Sequence, residues 1–216
     1  SSDLVYFSTG FGFIGKAPAA ESSEDLNQLF FDSIREVLGS EGTILVPTFS
    51  YTFGRSLVSE PAIFDPIETK SDTGPFPEFF RQQSGVNRSL DPMVSVSGIG
   101  PKFKDLIADL PPTSYGADSI FDRLTTKNAK ICNIGLGTNW VPFIHHADWL
   151  TKVSYRHEKL FFVKFVMELI FINRLGFMQF QFQGLFQCRT GIVWVNWLRM
   201  LEFGNGPYWD VGACML

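Results

Sequence analysis

Across residues 4–159, short continuous apolar runs take turns with longer stretches whose apolar positions recur every three to four residues, the two rhythms of strands and helices. Residues 4–7 read as a first strand. Ser22 or Ser23 is placed to cap a helix reaching Leu38, with Leu26, Leu29, Phe30, Ile34, Val37 and Leu38 on its buried stripe and Gly39 as its stop. Residues 43–46 are apolar without a break, as expected of a strand covered on both faces. Further on, the pattern predicts a short helix over Pro75–Arg81, a short strand over residues 93–97, and a helix from Pro101 that turns Phe103, Leu106, Ile107 and Leu110 inward. Asp118 or Ser119 caps another helix through Leu124, and residues 129–134 form the next buried strand. Pro142 suits a first helical turn, where its missing N–H has no intrahelical partner, so residues 142–150 read as a helix.

Helix, tight turn and strand in this order are the grammar of a layered sheet. The stretch from Phe53 to Gly100 is rich in Pro, Gly, Ser and Asp and reads as a long surface loop carrying short elements, a length that usually signals function. There is no internal repeat. The length suits one α/β domain with a substantial core.

The net charge of −4 offers no basic field for nucleic acid, and no acidic tail signals disorder. Three cysteines, Cys132, Cys188 and Cys214, lie far apart without metal-ligand spacing, which points to a reducing compartment, the cytoplasm, and not to a disulfide framework. The first residues lack the basic and apolar regions of a signal peptide and run abruptly into a strand, as though a preceding helix were missing.

Chemistry concentrates after the strand at residues 130–134. All three histidines lie between positions 145 and 157. On a helix, His145, Asp148 and Trp149 stand at i, i+3 and i+4 and share one face, bringing together a titratable base, a carboxylate and an aromatic wall. The competing reading is a helix start with solvated His and Asp beside it. Residues 8–16 form a glycine-spaced turn with two hydroxyls and exposed N–H groups, able to hold an anion or to serve as an ordinary strand-to-helix loop. The residues after strand 43–46, Tyr51 among them, stand where open α/β sheets place ligand-contacting loops.

The sequence carries a longer text. Phe64-Asp65-Pro66, then Ser71-Asp72-Thr73-Gly74-Pro75-Phe76-Pro77-Glu78-Phe79-Phe80-Arg81, then Gly85-Val86-Asn87-Arg88-Ser89-Leu90-Asp91-Pro92-Met93-Val94-Ser95-Val96-Ser97-Gly98 resembles the aminoglycoside 3-N-acetyltransferase family. Gly42-Thr43-Ile44-Leu45-Val46-Pro47-Thr48-Phe49-Ser50 precedes it and Tyr115-Gly116-Ala117-Asp118-Ser119-Ile120-Phe121-Asp122-Arg123-Leu124 follows in family order; Phe143-Ile144-His145-His146-Ala147-Asp148 resembles the family's His-x-Ala-Glu, with Asp for Glu. The resemblance covers residues 4–159.

That resemblance implies a three-layer α/β/α sandwich around a mostly parallel central sheet, and acetylation of an aminosugar amine by acetyl-CoA, with no metal. By position it implies that Ser8, Thr9 and Gly10 lie near the coenzyme and that Arg88, Ser89, Ser95 and Val96 line its cleft. It implies His145 as the catalytic base with Asp148 orienting the ring and stabilising imidazolium; an imidazole with a pKa of about 6.5 accepts a proton near pH 7. Tyr51, Asp65, Asp72 and Asp91 are candidate contacts for a polycationic acceptor, and each carboxylate also reads as a solvated surface group. The expected partner is therefore a small aminosugar or aminoglycoside, not nucleic acid or a membrane.

Asp91-Pro92 and Phe7-Ser8-Thr9 depart from the family's His-Pro and His-Ser-Ser, and resemble relatives encoded among surface-polysaccharide genes, so a biosynthetic aminosugar is an alternative acceptor to an antibiotic. Residues 160–216 do not align. They hold nine of the 23 phenylalanines but three of the 22 acidic residues, so this segment differs in kind from the domain at 1–159. It reads as an apolar extension packed on the same domain, as out-of-frame sequence, or as a membrane segment, although residues 160–172 are short for the roughly 20 apolar residues a span needs. Two other functions compete with acetyl transfer: an inactive truncated or frameshifted family member, and a metal-dependent hydrolase using His145, His146, Asp148 and His157. Adjacent histidines point to different sides of a helix, which argues against one shared ion.

Overall fold

The computed structural model of the 216-residue chain describes residues 3–15, 17–55, 62–159, 163–166 and 177–180. In chain order the elements are β1 (Leu4–Thr9), α1 (Ser23–Leu38), β2 (Thr43–Pro47), β3 (Ala62–Phe64), α2 (Pro75–Arg81), β4 (Asn87–Arg88) and β5 (Val96–Ile99). There follow α3 (Phe103–Ile107), α4 (Ile120–Thr126), β6 (Lys130–Ile134), α5 (Phe143–Thr151), β7 (Arg156–Lys159), β8 (Val163–Phe165) and β9 (Phe177–Phe180).

β1 and β2 are apolar on both faces because both faces are covered. Val5, Phe7, Ile44 and Val46 meet Ile34 and Leu38 of α1 and Phe76 and Phe80 of α2. Leu4, Tyr6 and Leu45 meet Phe103 and Leu106 of α3, Phe121 and Leu124 of α4 and Phe143 of α5. Full burial of a side chain of this size contributes on the order of 1.5–3 kcal/mol, so these two interiors hold the layers together. The central sheet runs β4-β5-β2-β1-β6. β1 is parallel to β2 and β6, whereas β5 is antiparallel to β2 and β4. The result is the α/β/α sandwich expected from the sequence, with one reversed strand.

Local signals account for the boundaries. Ser22 accepts the Asp25 N–H while Asp25 accepts the Ser22 N–H, a capping box that starts α1, and Gly39 at φ 67° ends it. Pro75 opens α2 and Ser119 caps α4. The buried stripe of α1 differs from the expected one: Leu29 is 41 % and Val37 80 % exposed, while Phe31 packs on Phe79 and Phe80. The cause is α2, which lies beside α1 and draws its buried face toward Phe31. The expected strand at residues 93–97 is displaced to β5, and the helix after Pro101 shrinks to the five residues of α3.

Part of the sequence that did not align is folded in. Val163 and Phe165 of β8 pair in parallel with β3 and join Phe53 and Phe64 in a third apolar cluster. β7 and β9 form an antiparallel pair. No helix among the described residues is long and apolar enough to cross a membrane. Cys188, Cys214 and most of residues 167–216 lie outside the described residues.

Candidate active site

Three chain segments meet at the carboxyl end of the parallel strands. After β1, the Gly10 N–H donates to the Ile134 carbonyl at 2.8 Å, extending the ladder one residue past Thr9. Gly135 at φ 70° begins the loop after β6, and a side chain there would lie 2.4 Å from the Gly10 oxygen, so glycine permits the two loops to touch. After β2, the Thr48 and Ser50 N–H groups donate to Ser95 and Met93, because reversed β5 brings its amino end to this edge. Tyr51 donates its N–H to Asp72 Oδ2 at 2.8 Å and keeps its ring exposed.

The loop from β6 leads into α5, whose Phe143 packs edge-on against Tyr6 of β1 and Phe121 of α4. That anchor places the next turn at the same end of the sheet. His145 is half-buried with its ring 5.5 Å from that of Tyr115, edge to face. Burial, and secondarily the positive charge of Arg156, lower the His145 pKa to about 3. An imidazole of ordinary basicity, as the sequence suggested, is thus replaced by one held neutral throughout the physiological range. Tyr115 is buried and its phenol is pushed well above its usual pKa, first by burial and then by Asp91 and Tyr51, with Arg156 opposing. Tyr51, Asp91, Tyr115, His145 and Arg156 therefore share one electrostatic neighbourhood.

Asp148, expected to orient the His145 ring, is engaged by Arg156 and Tyr155. It is 6 % exposed, with Oδ2 2.5 Å from Arg156 Nε and Oδ1 accepting the Tyr155 hydroxyl at 3.0 Å. A buried carboxylate is stable only when paired, and the start of β7 supplies that cation. Sequence spacing had singled out neither Arg156 nor Tyr155 nor Tyr115, since each reaches the site through the fold.

The remaining candidates divide by depth. Ser8 is buried and its Oγ has no hydrogen-bond partner among the described residues, while Thr9 and Gly10 are half-buried at the strand end. Arg88, Ser89, Ser95 and Val96, expected along the coenzyme cleft, are buried and bonded within the fold. Arg88 Nε donates to Ser95 Oγ, Nη1 to the Thr69 carbonyl and Nη2 to the Thr48 carbonyl and Ser50 Oγ; Ser89 Oγ accepts the Val96 N–H. The guanidinium stacks over Phe64 at 5.1 Å, and its burial lowers the pKa to about 10. Arg88 thereby ties Thr48, Ser50 and Thr69 to Ser95, the residue before β5. Asp65 Oδ1 caps the Ile67 and Glu68 N–H groups and Asp91 Oδ1 those of Met93 and Val94, local turn contacts that shape the loop. Asp72 remains exposed beside Tyr51.

Among the described residues no three His, Cys, Asp or Glu side chains are grouped to hold a metal ion, and the side chain of His157 lies outside them. His146 points away from His145, into the contact with α4.

The architecture is that of an α/β protein with a half-buried imidazole at the carboxyl end of a mostly parallel sheet. The family described as Aminoglycoside 3-N-acetyltransferase matches residues 18–168, and the chain belongs to it. Aminoglycoside N(3)-acetyltransferase IX of Micromonospora chalcea is 25 % identical over 166 residues, which cover 70 % of this chain and 57 % of that protein. The chain thus spans little more than half the length of that curated relative. Among solved structures, AAC-IIIb in a binary complex with CoASH has a TM-score of 0.69 at 23 % identity, over 83 % of this chain and 70 % of its own. AAC-VIa bound to sisomicin scores 0.66 at 23 % identity (81 % and 68 %), and the YokD protein of Bacillus subtilis 0.68 at 18 % (84 % and 76 %). These likenesses show a shared fold.

Proposed function

We propose that the chain transfers an acetyl group from acetyl-CoA to an amino group of an aminoglycoside or related aminosugar, with His145 as the base. Family membership supports the reaction class. A relative in the same fold is solved with CoASH and another with sisomicin, so both substrate classes suit the architecture. The observation that carries the assignment to a residue is the neutral imidazole of His145 at the carboxyl end of the sheet, against Tyr115.

The low basicity of that ring defines how it acts. An imidazole whose conjugate acid has a pKa of about 3 cannot take a proton from a resting alkylammonium, whose acidity is far weaker. It can take one from nitrogen that has become acidic by bonding to the acyl carbon. The acceptor therefore attacks as its neutral amine; the C–N bond forms, the C–S bond breaks, and the proton passes through His145 toward the leaving sulfur. The coenzyme supplies the activated acyl group. The buried Ser8 hydroxyl at the end of β1, unpartnered among the described residues, fits a carbonyl arriving there, whereas Arg88, Ser89 and Ser95 are already engaged within the fold. Exposed Tyr51 and Asp72 give a cationic acceptor a first contact.

The test is incubation of the purified chain with acetyl-CoA and a panel of aminoglycosides and nucleotide-linked aminosugars. Thiol release that depends on the amine, with one acetyl group gained by the acceptor, supports the reading; no amine-dependent release from a folded sample refutes it for this chain.

A further inference from the structure

We propose that His146, the neighbour of the base, is a positioning residue: by accepting the Gly116 N–H it locks the rotation of α5 so that His145 is presented edge-on to Tyr115. The inference rests on the reading of His145 as the base and adds a residue that reading does not use.

His146 is 3 % exposed and, one residue on from His145, projects about 100° round α5 from it. Its Nδ1 accepts the Gly116 N–H at 3.3 Å, and its Nε2 lies 3.5 Å from Asp122 Oδ1 of α4. Since Nδ1 accepts, the ring proton belongs on Nε2, directed at Asp122. Asp122 is itself fixed, its other oxygen taking the Asp118 N–H at 2.7 Å and its own N–H donating to Ser119 Oγ.

The same turn is held on two more sides. Gly116 adopts φ 103°, and a Cβ there would lie 2.6 Å from Trp149 Cε2, so the indole occupies the space that glycine leaves. Tyr115, one residue earlier, carries the ring that meets His145. Three side chains from one turn of α5, His145, His146 and Trp149, thus grip two residues of the segment leading into α4. His145 and Trp149 hold by ring contact, which tolerates sliding. The His146 bond is directional and sets the register, and misplacement of a catalytic group by about 1 Å can cost on the order of a hundredfold in rate.

Isosteres separate the two ring nitrogens. In His146→Asn the amide oxygen stands where Nδ1 stood and can still accept from Gly116; in His146→Gln the amide group reaches the Nε2 position and Asp122 but leaves Gly116 without its acceptor. The expected result is that His146→Asn keeps kcat within about threefold, while His146→Gln and His146→Leu lose about tenfold or more in kcat with the acceptor KM little changed. Hydrogen exchange of the Gly116 amide should follow the same order, slow in the wild type and His146→Asn, fast in His146→Gln and His146→Leu. The proposal is overturned if His146→Gln matches the wild type in kcat and exchange, or if His146→Asn is as impaired as His146→Leu. Should the wild type transfer no acetyl group, the reading of His145 fails; Gly116 exchange, together with the His145 ring shifts across the same variants, then still decides whether His146 sets the register.

Discussion

Asp148 and Arg156 form a buried ion pair, Oδ2 to Nε at 2.5 Å, that joins the last turn of α5 to the first residue of β7 beside the His145 imidazole. The pair places a positive charge near the proposed base and commits the neighbouring carboxylate to that charge. Removing the charge has two separable effects. In Arg156→Gln the His145 pKa rises from about 3, but stays below 6.5 because burial, the larger cause, persists; an NMR titration of the ring reads this directly. The same variant strands Asp148, at a cost of about 3–5 kcal/mol of stability, and Arg156→Met with Asp148→Leu recovers most of that loss in urea unfolding.

His145 also makes stability depend on pH. Its folded-state pKa, about 3, lies below the ordinary 6.5, so between those values the unfolded chain binds more protons than the folded one. Above pH 6.5 the ring contributes no dependence, and as pH falls below it stability declines by up to about 1.4 kcal/mol per unit. Denaturation midpoints at pH 7.5, 6 and 5 should fall in the wild type and flatten in His145→Gln. Burial lowers His146 in the same direction, so part of the slope remains in that variant. A wild-type midpoint constant from pH 7.5 to 5 would contradict the assigned shift.

Arg88 acts as a clasp inside the protein. Four hydrogen bonds from three nitrogens bridge the loop after β2, the 65–73 segment and Ser95, and a lysine has neither the planar fork nor the reach to replace them. Arg88→Lys is expected to lose about 2–4 kcal/mol, since buried carbonyls and hydroxyls are left without donors. A loss under 0.5 kcal/mol, the range of ordinary surface substitutions, would show that the clasp contributes nothing.

Sequence patterning was most informative where structure is local. Ser22 with Asp25, Gly39, Pro75 and Ser119 mark helix ends through contacts within a few residues, and the unbroken apolar runs at β1 and β2 state that both faces are covered. It failed where the deciding contact comes from elsewhere in the chain. Phe31 was hidden because the position of α2 turns α1 toward it, and the internal bonds of Arg88 to Thr48, Ser50 and Thr69 are visible only once the chain folds back on itself. The site follows the same division: i, i+3 spacing put His145 and Asp148 on one helix, but Arg156 arrives from β7 and takes the carboxylate.

Removal of Asp72 tests how the exposed lip of the site is held. Asp72 Oδ2 accepts the Tyr51 N–H, and its charge contributes, after burial, to raising the Tyr51 pKa. In Asp72→Ala the Tyr51 phenol should titrate at lower pH by ultraviolet difference spectroscopy, and KM for a cationic acceptor should rise with less change in kcat. An unchanged phenol titration would mean that the aspartate does not act on Tyr51.

Acetyl transfer in this site depends on His145 accepting the proton of an acceptor that attacks already neutral. The direct measurement is the acetyl-transfer rate of wild type and His145→Gln from pH 5 to 9, with one aminosugar acceptor at saturating acetyl-CoA. The wild-type kcat/KM should rise with the deprotonation of the acceptor's own amine and show no limb near 6.5, and His145→Gln should be slower by about 10²–10⁴-fold at every pH. A wild-type limb at 6.5, or a His145→Gln rate within a few-fold of the wild type, would contradict it.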